Sequence, residues 1–104
     1  IARYAWCGDY NEASTYLDLF TSYSGHNNGK FFSERYDELM KQSKTAEDPN
    51  PMYTEAEQIL AAEMPMAPIY QYTNVEMVKP DMRGMGLNNL MQNWYIKDMY
   101  RVAN

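Results

Sequence analysis

The chain of 104 residues holds one cysteine, one histidine and no apolar run near the roughly 18 residues that a membrane span needs. One thiol excludes an internal disulfide, and an odd cysteine in a secreted protein points to a partner elsewhere. Nine lysines and arginines are scattered among fourteen acidic residues, for a net charge of −5. Phosphate neutralisation requires clustered cations, so nucleic acid is excluded as a partner and anionic membrane surfaces are disfavoured. The first residues carry neither a basic head nor a hydrophobic signal segment. Valine and isoleucine are scarce, and there is no internal repeat or low-complexity tract. What is abundant is tyrosine, with ten, and methionine, with nine, so the 45% hydrophobic content is amphipathic and adaptable, of a kind that suits binding surfaces. This length allows one domain at most, with a modest core that buries roughly 60 to 70% of the unfolded chain's surface.

Function concentrates in Arg3-Tyr4-Ala5-Trp6-Cys7-Gly8-Asp9-Tyr10-Asn11, which crowds a cation, two tyrosines, an indole, the cysteine and a carboxylate into nine residues. The aromatic and small apolar content of Arg3 to Cys7 predicts a short buried strand. Gly8, Asp9 and Asn11 are turn formers that end it. Asp9 then stands at a strand end, where a carboxylate can bind a cation in a cleft or simply bond its own turn backbone.

Along the rest of the chain, Asn11 is positioned to cap a helix from about Glu12 to Phe20 with Tyr16, Leu17 and Phe20 on one face. Residues 21–30 are polar and turn-rich, with Asn28-Gly29 as the tight turn. Ser33 caps a second helix to about Ser43, whose Phe32, Tyr36, Leu39 and Met40 form a core-facing stripe. Asn50-Pro51 starts a third, with Tyr53, Ala56, Leu60 and Met64 buried, Ile59 beside them and Pro65 as the stop. Strands are expected over Met66 to Tyr72, Val75 to Val78 and Met99 to Val102, and loop over Lys79 to Asn93. This order is that of an α/β fragment rather than a complete doubly wound fold.

Other chemistry is weaker. Cys7, Asp9 and His26 contain the residue types of a thiolate enzyme, yet a buried strand cysteine is ordinarily inert. Gly25-His26-Asn27-Asn28-Gly29-Lys30 is one residue short of a phosphate loop and has Phe31 where a magnesium-binding hydroxyl belongs. Met64-x-Met66 and Met82-x-x-Met85 have spacings that suit a soft metal, but methionine packing explains them. No catalytic residue, metal or cofactor is assigned.

Trp6-Cys7-Gly8-Asp9-Tyr10-Asn11-Glu12 closely resembles the W-C-A-D-Y-N-E-P segment of periplasmic oligopeptide-binding proteins, the solute-binding subunits of ABC peptide importers. The resemblance continues through Phe32 to Met40, Pro65 to Tyr72 and Asp98 to Val102, in order and with similar spacing. Such proteins are several times longer, so the chain, which begins at Ile1 without Met, is expected to be a trimmed or partial C-terminal portion of one. The resemblance implies part of a two-lobe clamshell fold of periplasmic-binding-protein type II. Residues 1–72 would belong to the second lobe and 73–104 to a crossing, near Tyr72 to Val75, and a tail returning to the first.

It further implies that Asp9 holds a peptide's α-ammonium and that Trp6 and Cys7 pair with its backbone by strand addition. Trp6 lines a side-chain pocket or serves as a core aromatic. Arg3, at most roughly 20 Å from Asp9, lies toward the ligand's carboxylate or is structural. The family's bridge from this cysteine runs to one earlier in the chain and has no counterpart here. Short peptides and a membrane permease are the implied partners and the periplasm the location. A cell-wall peptide, a haem or a metal chelate are alternative ligands. Apolar surfaces left open in a partial chain predict self-association.

Overall fold

The computed structural model describes residues 2–86 and 93–103. Three helices make a small body. The first, α1, is one turn, Ser14–Leu17, continued by a 3-10 turn at Asp18–Phe20. The second and third, α2 (Glu34–Ser43) and α3 (Asn50–Glu63), pack on each other and on α1. Their shared core is Leu17, Tyr36, Leu39, Met40, Tyr53 and Ala56, flanked by Phe20, Phe31, Met52, Ile59 and Leu60. Tyr36 is fully buried, and its phenol survives burial because the hydroxyl donates to the Leu17 carbonyl at 2.6 Å. Burial also pushes that phenol well above its ordinary pKa, so it stays a donor.

Helix ends follow local chemistry. Ser33 Oγ accepts from the Tyr36 N–H at 3.3 Å and caps α2 as expected, and Pro51 occupies the first turn of α3. Phe32, expected on the core stripe, is 66% exposed: it precedes the cap, so helical spacing does not reach it, and Phe31 meets Tyr36 edge-on instead. Met64, also expected in the core, is 58% exposed. The following Pro65 disfavours helical backbone at Met64, which turns left-handed at φ 46° and leaves the stripe. Asn11 does not cap α1. That helix starts after Ala13, and the Glu12 carboxylate accepts the Ser14 N–H at 2.9 Å in its place.

The expected strands mostly do not form. Residues 2–8 and 67–78 form neither helix nor turn, and among the described residues they belong to no ladder. A strand needs a neighbour within about 4.8 Å to accept its hydrogen bonds, and β-propensity cannot supply one. The one sheet among the described residues is a two-stranded antiparallel pair, β1 (Met82–Arg83) with β2 (Tyr100–Arg101). β2 falls inside the expected final strand. β1 falls inside the expected loop, of which residues 87–92 lie outside the described residues. Gly84, at φ 81°, permits this pairing, since a Cβ there would lie 1.8 Å from the Asp98 carbonyl oxygen.

The molecule measures 60 × 38 × 21 Å, with a radius of gyration of 18.2 Å against about 13 Å for a compact chain of this length. Its accessible surface of 8454 Å² likewise exceeds the about 6,100 Å² of a compact monomer. Among the described residues no helix is long and apolar enough to cross a membrane.

Candidate functional site

The segment Arg3 to Asp9 is an irregular run that touches α1 at Thr15 and the loop after it at His26. The expectation of a buried strand is corrected: Arg3, Cys7 and Asp9 are exposed, and Trp6 alone of the four candidates is half-buried.

Among the described residues, three attachments hold the run. At its C-terminal end the Asp9 N–H donates to Thr15 Oγ1 at 2.8 Å, and Gly8 is buried beneath Thr15 and Tyr16. Tyr16, expected on the core face of α1, is exposed and turned toward this segment instead. In the middle, the Trp6 ring meets Tyr4, at 6.4 Å with the planes 26° apart, and His26, at 4.7 Å and tilted by 57°. At the N-terminal end, Arg3 Nη2 donates to the Tyr72 hydroxyl. The ring of Tyr72 meets Tyr70 edge-on at 4.9 Å. The Tyr70 hydroxyl and the Arg3 guanidinium favour the Tyr72 phenolate and lower its pKa.

The turn after Asp9 is a polar knot. Glu12 accepts from both the backbone and the hydroxyl of Ser14, whose Oγ lies 2.9 Å from the Tyr10 hydroxyl. Burial works to raise the Glu12 carboxyl, but hydrogen bonds from Ser14 and Tyr53 outweigh it, and the pKa falls below 4.5. This knot fixes where Asp9 sits without using the Asp9 carboxylate, which forms no ion pair among the described residues.

The structure thus brings Arg3 and Trp6 into contacts that sequence spacing did not reveal. Tyr70 and Tyr72 share one side of an extended run by their period of two, a signal visible beforehand. Their pairing with Arg3, 69 residues away, was not. Cys7 and His26 are not hydrogen-bonded, and the His26 ring is engaged with Trp6. No cluster of three or more His, Cys, Asp or Glu among the described residues could hold a metal. Met64 and Met66 stand exposed at the end of α3.

No family model matches the chain. Over its full length it is 41% identical to the periplasmic murein peptide-binding protein MppA of Escherichia coli K12 and 34% identical to the periplasmic oligopeptide-binding protein OppA of Salmonella typhimurium. The solved structure of the Escherichia coli murein tripeptide binding protein MppA matches 95% of the chain with a TM-score of 0.80. In each case the chain spans 20% of the relative's length, in its C-terminal part.

Proposed function

Because the chain belongs to the family 5 solute-binding proteins, we propose that it supplies the C-terminal part of a periplasmic receptor that captures short peptides for the permease of an ABC importer. The observation that carries this reading is similarity along the entire chain to two proteins named for binding peptides. The run from Arg3 to Asp9 supports it, since five of its seven residues are exposed and it belongs to no ladder among the described residues.

In this reading the ligand completes the missing ladder. An extended peptide pairs its main chain with Trp6 and Cys7, which gives affinity without reading side chains. The exposed Asp9 carboxylate accepts charge-assisted hydrogen bonds from the α-ammonium. Arg3 lies toward the ligand's carboxylate, and Trp6 forms a wall for a side chain. Residues 1–72 belong to one lobe and 73–104 cross to the other, so that closure excludes water and strengthens the ion pairing. No bond is made or broken, so Cys7 and His26 have no catalytic part. The 104-residue chain by itself, with its extended apolar residues open, self-associates.

Titration calorimetry tests this on the longer protein that carries the chain, with trialanine and N-acetyl-trialanine as probes. A lost buried charge pair costs about 2–5 kcal/mol, so acetylation is expected to weaken binding by about 30-fold or more. Equal affinity for the two would remove Asp9 from the mechanism. The 41% identity to a murein peptide-binding protein favours, as a second reading, a cell-wall peptide as the preferred guest. A murein tripeptide that displaces trialanine at lower concentration would establish it.

A further inference from the structure

Residues 21–31 have the composition of a free loop, rich in serine, glycine and asparagine, yet they are bolted in place. Asn27 is buried; its amide donates to the Thr21 carbonyl at 3.2 Å and the Phe31 carbonyl at 2.7 Å, and its Oδ1 accepts from the Phe31 N–H at 3.0 Å. Asp37 of α2, also buried, accepts from the backbone N–H of Ser22 at 2.9 Å and from the Ser22 hydroxyl. His26 itself is pinned on both sides. Its N–H donates to Ser24 Oγ at 3.2 Å, and its carbonyl accepts from the Asn28 N–H at 2.8 Å. Two buried polar side chains therefore convert a flexible composition into a fixed post, and the side chain at its tip is the imidazole packed 4.7 Å from the Trp6 ring.

Trp6 depends on that packing. Its indole nitrogen is closed off from solvent and has no acceptor among the described residues, so ring contact rather than a hydrogen bond sets its orientation. Among the described residues the run from Arg3 to Asp9 has no ladder to hold its middle. Thr15 fixes one end and Tyr72 the other. We infer that His26 is a positioning residue: its imidazole braces the Trp6 indole and thereby sets the course of the backbone that meets the peptide. This deepens the receptor reading and rests on it.

The test has two arms. In the 104-residue chain with Trp94→Phe, Trp6 is the single indole. There His26→Ala is expected to move its emission to longer wavelength and increase acrylamide quenching, while His26→Phe, which restores a ring, returns both toward the parent. In the longer protein, His26→Ala is expected to weaken trialanine binding by about 2- to 10-fold, the range of one aromatic pair, with recovery in His26→Phe. Helical circular dichroism monitors folding. Should His26→Ala lose it, His26→Gln, polar and ringless, replaces it with the same expectations. Unchanged Trp6 emission and quenching would overturn the brace. Unchanged affinity in a ringless variant of a protein that binds trialanine would overturn the positioning role and leave the receptor reading intact. A parent protein that binds neither trialanine nor a murein tripeptide would overturn the receptor reading, and the positioning role with it. The emission arm needs no ligand and tells the two failures apart.

Discussion

Between Ser14 and Glu63 the chain buries Tyr36, Met40 and Ala56 completely, whereas the stretch after α3 leaves Ile69 84%, Val75 87% and Met77 99% exposed. Both regions are rich in apolar and aromatic residues. They differ in where their partners come from. A helix satisfies its own backbone and needs only a neighbouring stripe, which α1, α2 and α3 give one another. An extended segment needs another segment for its hydrogen bonds as well as for its apolar face. The chain spans a fifth of its relatives' length, and its helical part is the portion that closes on itself.

That contrast breaks most visibly at Tyr36. Replacing it with alanine removes a fully buried ring and its hydrogen bond to Leu17, at a cost of about 3–5 kcal/mol, comparable with the stability of so small a body. Tyr36→Ala should abolish the cooperative urea transition followed by far-ultraviolet circular dichroism. Ser33→Ala, which deletes the α2 cap, should lower stability by about 1 kcal/mol and keep the transition.

A smaller, pH-dependent effect belongs to Glu12. Its pKa is lowered in the folded chain, so its contribution is complete above the ordinary value of 4.5 and is lost as pH falls through the lowered native value. Glu12→Gln should therefore flatten the acid limb of the urea midpoint plotted against pH and leave its neutral plateau nearly level. The smallest effect is expected outside the helices. Val75→Ala in this chain should change stability by less than about 0.5 kcal/mol, since Val75 is already in water. The same substitution in the longer protein sharpens the comparison, because a larger loss there would show that the missing partner is part of the same molecule.

The helices were legible because their signals are local. Ser33 three residues before Tyr36, Pro51 in a first turn and Pro65 past a last one each act within a few positions. The errors at Phe32 and Met64 arose at helix ends, where backbone geometry overrides periodicity. Arg3 to Cys7 and Met66 to Tyr72 read as strands for sound reasons of side-chain shape, but pairing is a property of two segments and only one was in view. At the candidate site, the aromatic and charged residues stood out in sequence. Their contacts with Tyr72 and His26 did not, because loop closure over tens of residues leaves no periodic trace.

The claim on which the functional account turns is that Asp9 answers the amino end of a peptide. A thermodynamic cycle tests it most directly, with the longer protein and its Asp9→Ala variant each titrated with trialanine and N-acetyl-trialanine. The account predicts that an acetylation penalty of about 30-fold or more in the parent collapses to near unity in Asp9→Ala. The same penalty in both proteins would contradict it.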